Sequence, residues 1–168
     1  GLLVRNLPSL EALAAVDTVV FDKTGTLTRD AMALQAVHTR AGVARADAVA
    51  MASALASHSL HPASKALVQA AQQESGLPQW ACAAVQESAG LGVAGALLHA
   101  SDSGVPAKNM RLGSASFCEL PNALPVQQGL CVHLSDSEGW VATFVLQEDL
   151  RPEVPAVVAA LHAQGVQV

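Results

Sequence analysis

Seven residues, Asp22-Lys23-Thr24-Gly25-Thr26-Leu27-Thr28, follow directly on the apolar triplet Val19-Val20-Phe21. A short apolar run of this kind predicts a buried strand, which puts Asp22 at a strand's carboxyl end, where open α/β sheets hold ligands. A carboxylate in that position can act as a covalent nucleophile toward phosphorus. The Gly and Thr residues behind it offer backbone N–H and hydroxyl donors to phosphoryl oxygens. Asp22 is therefore the candidate nucleophile, with Lys23 and Thr24 beside it, and Asp22 and Thr24 are the candidate oxygen ligands of a Mg²⁺ ion. A mere turn-capping Asp would not need the following TGTLT. Thr24, two residues on, can bind phosphate through its hydroxyl but is a poor proton shuttle near neutral pH. An acyl phosphate formed on Asp22 is thus expected to persist.

The elements that must position this loop are those of an interrupted α/β layer. Apolar spacing over 10–16, after Pro8 and Ser9, predicts a helix, and 18–21 a strand. Far along the chain, 141–146 reads as a second apolar strand. Arg151-Pro152 then starts a helix to about Ala163, which Gly165 ends before a strand begins at Val166. Between these ends the pattern changes. A strand over 32–39 precedes two alanine-rich amphipathic helices, 45–56 and 62–73. Strand candidates follow at 81–86, 93–99, 109–112 and 130–134, separated by Gly, Ser, Asp and Pro. Helices followed by short, hairpin-like strands imply an α+β domain with a mainly antiparallel sheet. There is no internal repeat and no low-complexity tract.

Bulk properties narrow the function classes. A chain of 168 residues makes one or two compact units. Although 51% of residues are hydrophobic, the apolar runs are short, and none approaches the ~20 residues needed to cross a bilayer; a soluble fragment is expected. The net charge of -5 gives no basic surface for nucleic acid or anionic lipid. No charged segment followed by an apolar one opens the chain, so no signal peptide is expected. Cys82, Cys118 and Cys131, odd in number and widely spaced, read as reduced thiols of a cytosolic domain rather than metal ligands. His38, His58, His99, His133 and His162 likewise lack mutual ligand spacing. With no Tyr and 3% aromatics, the core must be built from Ala, Val and Leu, and Trp80 and Trp140 are expected to pack rather than to stack on a ligand.

The heptapeptide DKTGTLT resembles the phosphorylation signature of the P-type ATPases, ion pumps that pass the ATP γ-phosphoryl group through an aspartyl phosphate. Stand-alone phosphatases of the same broad fold usually carry a second Asp where this chain has Thr24, which favours a pump intermediate. Ser59-Leu60-His61-Pro62 resembles the SxHP element of the heavy-metal-transporting members, Gly90-Leu91-Gly92-Val93 their GxG(V/I) element, and Gly113-Ser114 a Gly-Asn or Gly-Ser pair that contacts nucleotide in relatives. The family order also matches: a nucleotide-binding domain inserted into the phosphorylation domain soon after DKTGTLT, which then resumes with a segment like LQEDLRPE.

The resemblance implies a partial HAD-like, Rossmann-type phosphorylation domain (1–30 and 144–168) interrupted by an antiparallel-sheet nucleotide-binding domain with helices (31–143), an α/β plus α+β arrangement. It implies ATP and Mg²⁺ as cofactors, and a nucleotide site of His61, Pro62, Gly90, Gly92, Val93, Gly113 and Ser114. Pro62 suits a first helical turn, which leaves the His61 imidazole ahead of it to stack on or hydrogen-bond an adenine; an ordinary capping His is the alternative. The glycines would let the nucleotide approach bare backbone, or serve simple turns. One departure stands out: in many copper and zinc members a Glu five residues before the motif His hydrogen-bonds the adenine amino group, where this chain has Ala56, and Leu60 replaces the Glu that commonly precedes the His. Loss of one such contact costs about 0.5–1.5 kcal/mol, so weak ATP binding is expected, with Glu87 as a candidate substitute. Glu148-Asp149 reads as a helix-start charge pair in preference to a hinge near the phosphorylation site.

The function implied is that of a cytosolic ATP-binding and aspartyl-phosphorylation fragment of a heavy-metal pump, an integral membrane protein, with copper(I) as the cation. Its partners would be ATP and ADP, the cation through membrane helices outside this sequence, and other domains of the same pump, with no nucleic acid. Alone it should bind nucleotide weakly and phosphorylate poorly or not at all. The alternatives are a HAD-like phosphatase with a cap domain and a non-catalytic nucleotide-binding module.

Overall fold

A computed structural model describes residues 8, 12, 14–100, 106–121 and 129–168. Contacts divide the chain into a discontinuous unit, 1–30 with 149–168, and a larger unit, 31–148. The chain crosses between them inside its first and last strands, β1 (Thr28–Thr39) and β6 (Gly139–Leu150).

The larger unit is a sheet covered by a helix pair. Helix α1 (Arg45–Ala56) and helix α2 (Pro62–Gln73) are followed by β2 (Trp80–Ser88), β3 (Gly92–His99), β4 (Lys108–Gly113) and β5 (Leu130–Asp136). The six strands lie in the order β1-β6-β5-β4-β3-β2, and the four pairs from β2 to β6 are antiparallel hairpin-like neighbours. Register explains which residues are inside. Val93 faces Leu112 and Leu112 faces Leu134; Leu134 faces Ala142, and Val132 faces Phe144. Since directly paired residues point to the same face, these side chains make one apolar row, and α1 packs on β2, β3 and β4 beneath it. Leu55, Leu67, Leu97, Leu134, Phe144 and Leu146 are among the fully buried side chains. The core is thus the Ala, Val and Leu interior that the composition implies, with Phe144 its large aromatic member.

The two helices differ in kind. Helix α2 is one-sided, with Ala63, Ser64, Ala66 and Leu67 buried. Helix α1 buries Ala48 through Ala52 in unbroken succession, and Leu55 and Ala56 as well, so it is a core helix rather than the amphipathic one its sequence suggests. Its small alanines allow close approach on several sides. Arg45 at its start reaches Glu74 at the end of α2, 2.7 Å away.

Strand β6 corrects the sequence reading more substantially. Residues 141–146, expected to begin the returning α/β layer, are buried without a break inside the larger unit, and the division falls after Glu148 rather than at 144. A continuous apolar run signals a strand covered on both faces; here that strand lies between β1 and β5. Glu148 and Asp149 accordingly lie within β6 instead of starting a helix, and Asp149 pairs with Arg29 at 3.5 Å.

In the discontinuous unit, the Arg151 N–H bonds Leu27 O at 2.9 Å and so continues the β1–β6 pairing. Helix α3 (Val154–Ala163) consequently begins three residues later than Arg151-Pro152 suggests. It ends at Gly165, whose φ of +78° suits a left-handed C-terminal residue; the Val166 N–H closes the motif on Leu161 O at 3.0 Å. Residues 18–21 do not form the expected buried strand. They are extended beside Gln167 through a parallel bridge at Thr18, with Val19 and Phe21 half-buried and Val20 90% exposed, because within this unit one short segment is the sole backbone neighbour among the described residues. Of the helix expected over 10–16, Ala12 and Ala14 are helical and the Ala15 N–H bonds Ala12 O at 3.2 Å; 10, 11 and 13, like 1–6, lie outside the described residues.

Candidate functional site

The candidate residues fall into two groups, one in each unit. The first is the loop after Phe21. Asp22 is extended (φ -69°, ψ 139°), exposed, and caps nothing with its side chain. Residues Lys23–Leu27 then make one wide helical turn, closed where the Thr28 N–H returns to Lys23 O. The Thr28 hydroxyl donates to the same oxygen at 3.2 Å, and Thr28 itself is buried. Gly25 has φ +78°, a left-handed conformation that glycine adopts at no steric cost. Arg151 holds the turn from outside: besides its N–H bond to Leu27 O, its Nη2 donates to Gly25 O at 3.1 Å. Thr28 and Arg151 are thus the loop's anchors, one from inside the motif and one 126 residues away. Sequence reasoning missed Arg151, since it read there only a helix start.

Asp22 offers a hard oxygen of the kind Mg²⁺ accepts, and Mg²⁺ commonly takes one or two carboxylates with water and phosphate oxygens. Among the described residues no group of three His, Cys, Asp or Glu comes together. Asp22 therefore offers one carboxylate to such a shell, an incomplete set by itself.

The second group lies in the larger unit around a cleft of about 200 Å³, where the α1–α2 connection meets the β2–β3 and β4 ends. Its lining includes His61, Gly90, Gly92, Val93, Gly113 and Ser114; of the expected nucleotide residues only Pro62 does not line it. Pro62 occupies the first turn of α2, and His61 is the N-cap, accepting the Ala63 N–H on Nδ1 at 3.2 Å. That bond puts the proton of the neutral ring on Nε2. His61 is therefore both an ordinary cap and, with its other nitrogen, a donor on an exposed ring.

The glycines have separate causes. Gly90 turns with φ +72° and would meet nothing with an added Cβ; conformation demands glycine there. Gly92 and Gly113 are register partners. A Cβ on Gly92 would sit 2.8 Å from the Gly113 Cα and against Leu112 O, so protein packing already explains these two, whatever enters the cleft. Ser114 binds the turn back, its N–H on Leu91 O at 2.9 Å.

Beyond the expected nucleotide set, the cleft lining includes Ser59 and the candidate substitute Glu87. Ser59, 8% exposed, donates its hydroxyl to Glu87 Oε1 at 2.5 Å and accepts the His61 N–H at 3.2 Å. Ala56 is fully buried in α1 with no acceptor to offer. Cys131 also lines the cleft, and burial pushes its thiol pKa up, away from nucleophilic use.

The chain belongs to the haloacid dehalogenase-like hydrolase family, which matches residues 16–168. Within that class its similarity is to metal-transporting ATPases. It is 35% identical over its whole length to the probable copper-transporting ATPase SynA of Synechococcus sp., covering 20% of that protein, and 26% identical over 99% of its length to the zinc-transporting ATPase of Bacillus subtilis, covering 26% of that one. A zinc-transporting PIB-type ATPase solved in an E2.Pi state superposes with a TM-score of 0.75 over 94% of this chain and 26% of its own, at 25% identity. The chain thus spans a fifth to a quarter of the length of these relatives. No described helix is long and apolar enough to cross a membrane.

Proposed function

We propose that this chain is the ATP-binding and aspartyl-phosphorylated part of a heavy-metal cation-transporting P-type ATPase, the larger unit holding the nucleotide base and the discontinuous unit carrying the phosphorylated residue. The observation that carries this reading is the convergence of His61, Gly90, Gly92, Val93, Gly113 and Ser114, scattered over 54 residues of sequence, on one cleft. The cleft is smaller than the ~300–1,000 Å³ that encloses a drug-sized ligand, which suits a base and leaves the triphosphate outside. No Lys or Arg lines it among the described residues, which also disfavours phosphate as its occupant.

Asp22 then acts as nucleophile. A carboxylate oxygen bonds to the γ-phosphorus as the bond from that phosphorus to the β–γ bridging oxygen breaks, and ADP leaves with the electron pair. Backbone N–H groups of the 23–27 turn, which Thr28 and Arg151 hold in shape, are the donors available to the phosphoryl oxygens. With Thr24 in place of a second acid, the acyl phosphate lasts long enough to drive a pump. Mg²⁺ would offset phosphate charge beside Asp22, completed by oxygens beyond those described. Copper(I) is the cargo proposed, after the copper-transporting relative at 35% identity over the whole chain; a zinc-transporting relative reaches 38% over 44% of it, so stimulation by the two cations decides between them.

An NMR titration of the chain with ATP tests the cleft: His61, Gly90 and Gly92 are expected to shift, whereas shifts confined to the Asp22 loop would favour a phosphatase. In the full-length protein, Asp22→Asn is expected to abolish the acid-stable phosphoenzyme, and Cu(I) to stimulate its formation in the parent more than Zn²⁺ does. Labelling that survives Asp22→Asn removes Asp22 as the nucleophile.

A further inference from the structure

We infer that Glu87 is the residue that reads the base, its carboxylate accepting a hydrogen bond from the exocyclic amino group of adenine. The inference rests on the reading of the cleft as a base site and assigns that site's specificity. Strand register puts Glu87 there: a bulge between Ala83 and Gln86 resets β2 so that Glu87 pairs with Val93, a core position 2% exposed. Glu87 therefore points to the helix-covered face of the sheet, at the end where the α1–α2 connection passes.

Glu87 remains exposed, and Ser59 holds that carboxylate in place. Its buried hydroxyl spends its single hydrogen on Glu87 Oε1 and takes the His61 N–H on its lone pairs. Carboxylate, hydroxyl and imidazole cap are consequently one connected unit, with the side chain of Glu87 oriented before any ligand arrives. Among the described residues that line the cleft, Glu87 is the one carboxylate and no cation faces it. An ionised carboxylate offers acceptors only, so a ligand that displaces water from its remaining lone pairs must donate. His61 offers the opposite, a donor on Nε2, because Nδ1 is used by Ala63. An acceptor and a donor at one cleft match the 6-amino group of adenine and a ring nitrogen next to it. Anionic groups do not satisfy the carboxylate.

Three nucleotides separate the possibilities: ATP, purine riboside 5′-triphosphate, which lacks the 6-amino group, and 2′-deoxy-ATP. NMR titrations of the chain and of its Glu87→Ala, Glu87→Gln and Ser59→Ala variants give each dissociation constant, and the unliganded spectra report folding. The parent is expected to prefer ATP over the purine analogue by about three- to tenfold. Glu87→Ala is expected to bind the two alike, by losing affinity for ATP and not for the analogue. Glu87→Gln, which keeps an acceptor oxygen, and Ser59→Ala, which frees the carboxylate, are expected to fall between. Equal weakening of ATP and the analogue in Glu87→Ala, or none, overturns the inference while leaving the cleft reading intact. A Glu87→Ala effect confined to discrimination against 2′-deoxy-ATP assigns the carboxylate to the ribose and also overturns it. Absence of any response to ATP in the parent chain removes the cleft reading, and the inference with it.

Discussion

Gly92 and Gly113 face each other across the β3–β4 pair so closely that a Cβ built on either would come within 2.8 Å of the other's Cα. A Cβ on Gly92 would also lie 2.6 Å from the Phe117 ring. Backbone on two paired strands cannot move aside without opening the ladder, so Gly92→Ala and Gly113→Ala are expected to destabilise the larger unit by about 1–3 kcal/mol each through overpacking. Gly90→Ala meets no atoms and pays only for its φ of +72°, about 1–2 kcal/mol. Denaturant unfolding of the three variants checks this, and a Gly92→Ala protein as stable as its parent would remove the close-approach explanation.

A second expectation concerns acid. His133 is 8% exposed on β5, with Nδ1 at 2.9 Å from the Thr143 hydroxyl, which also accepts the Trp140 indole N–H at 2.9 Å. Burial lowers the His133 pKa below its ordinary 6.5. Above that value neither the folded nor the unfolded chain protonates this ring, and it leaves stability independent of pH. As pH falls through 6.5, the unfolded chain takes up the proton first, so the folded state loses stability until the lowered pKa is reached. Stability measured from pH 7.5 to 5.5 should therefore decline, and His133→Gln should flatten part of that decline while being less stable at pH 7.5. Identical slopes in the two proteins would mean that other groups set the acid response.

Arg151 gives a local expectation. Its guanidinium bond to Gly25 O is exposed, so Arg151→Ala should cost little globally, within about 1 kcal/mol. Its effect belongs in the loop. Amide exchange at 25–28 is expected to quicken several-fold in Arg151→Ala, with the larger unit unchanged. Unaltered exchange there would show that the guanidinium adds nothing to the hold of Thr28 and of the residue-151 backbone N–H on the turn.

These residues also show what the sequence makes legible and what it hides. The helix bounds 45–56 and 62–73 coincide with α1 and α2, since His61-Pro62 marks a helix start by itself and alanine-rich runs have strong helical preference. Strand positions in the larger unit are readable from Gly and Asp punctuation, although β1 starts at Thr28 instead of 32 and β6 runs on to Leu150. What an apolar run is buried against was not. Residues 141–146 and 19–21 look alike in sequence, yet one is covered on both faces and the other leaves Val20 exposed, because coverage depends on distant partners. The site divides the same way. His61 and the glycines carry local signatures, whereas Glu87 reaches the cleft through a bulge that decides its face, and Arg151 reaches the loop across 126 residues. Nearness to Gly90 and Gly92 points to Glu87 without fixing its face, and nothing local marks Arg151. Ser59, held between Glu87 and His61, had its signal in the SxHP element without the pairing.

Thiol labelling offers a last test that needs no phosphorylation. Cys118 is buried and its S–H donates to His133 O at 3.2 Å; Cys82 and Cys131 are half-buried. Burial raises all three thiol pKa values above the ordinary 9.0. The thiolate is the reactive form, so alkylation should be slow at pH 8 and accelerate into the alkaline range, with Cys118 the slowest. Cys131 lines the cleft and Cys82 does not. ATP is therefore expected to slow the labelling of Cys131, saturating with the same half-point as the shift of His61, and to leave Cys82 unaffected. Mass spectrometry of the alkylated peptides distinguishes the sites. Equal protection of both thiols would indicate a general tightening of the unit, and no protection alongside a shifted His61 would put the base at the His61 end of the cleft, away from Leu130–Val132.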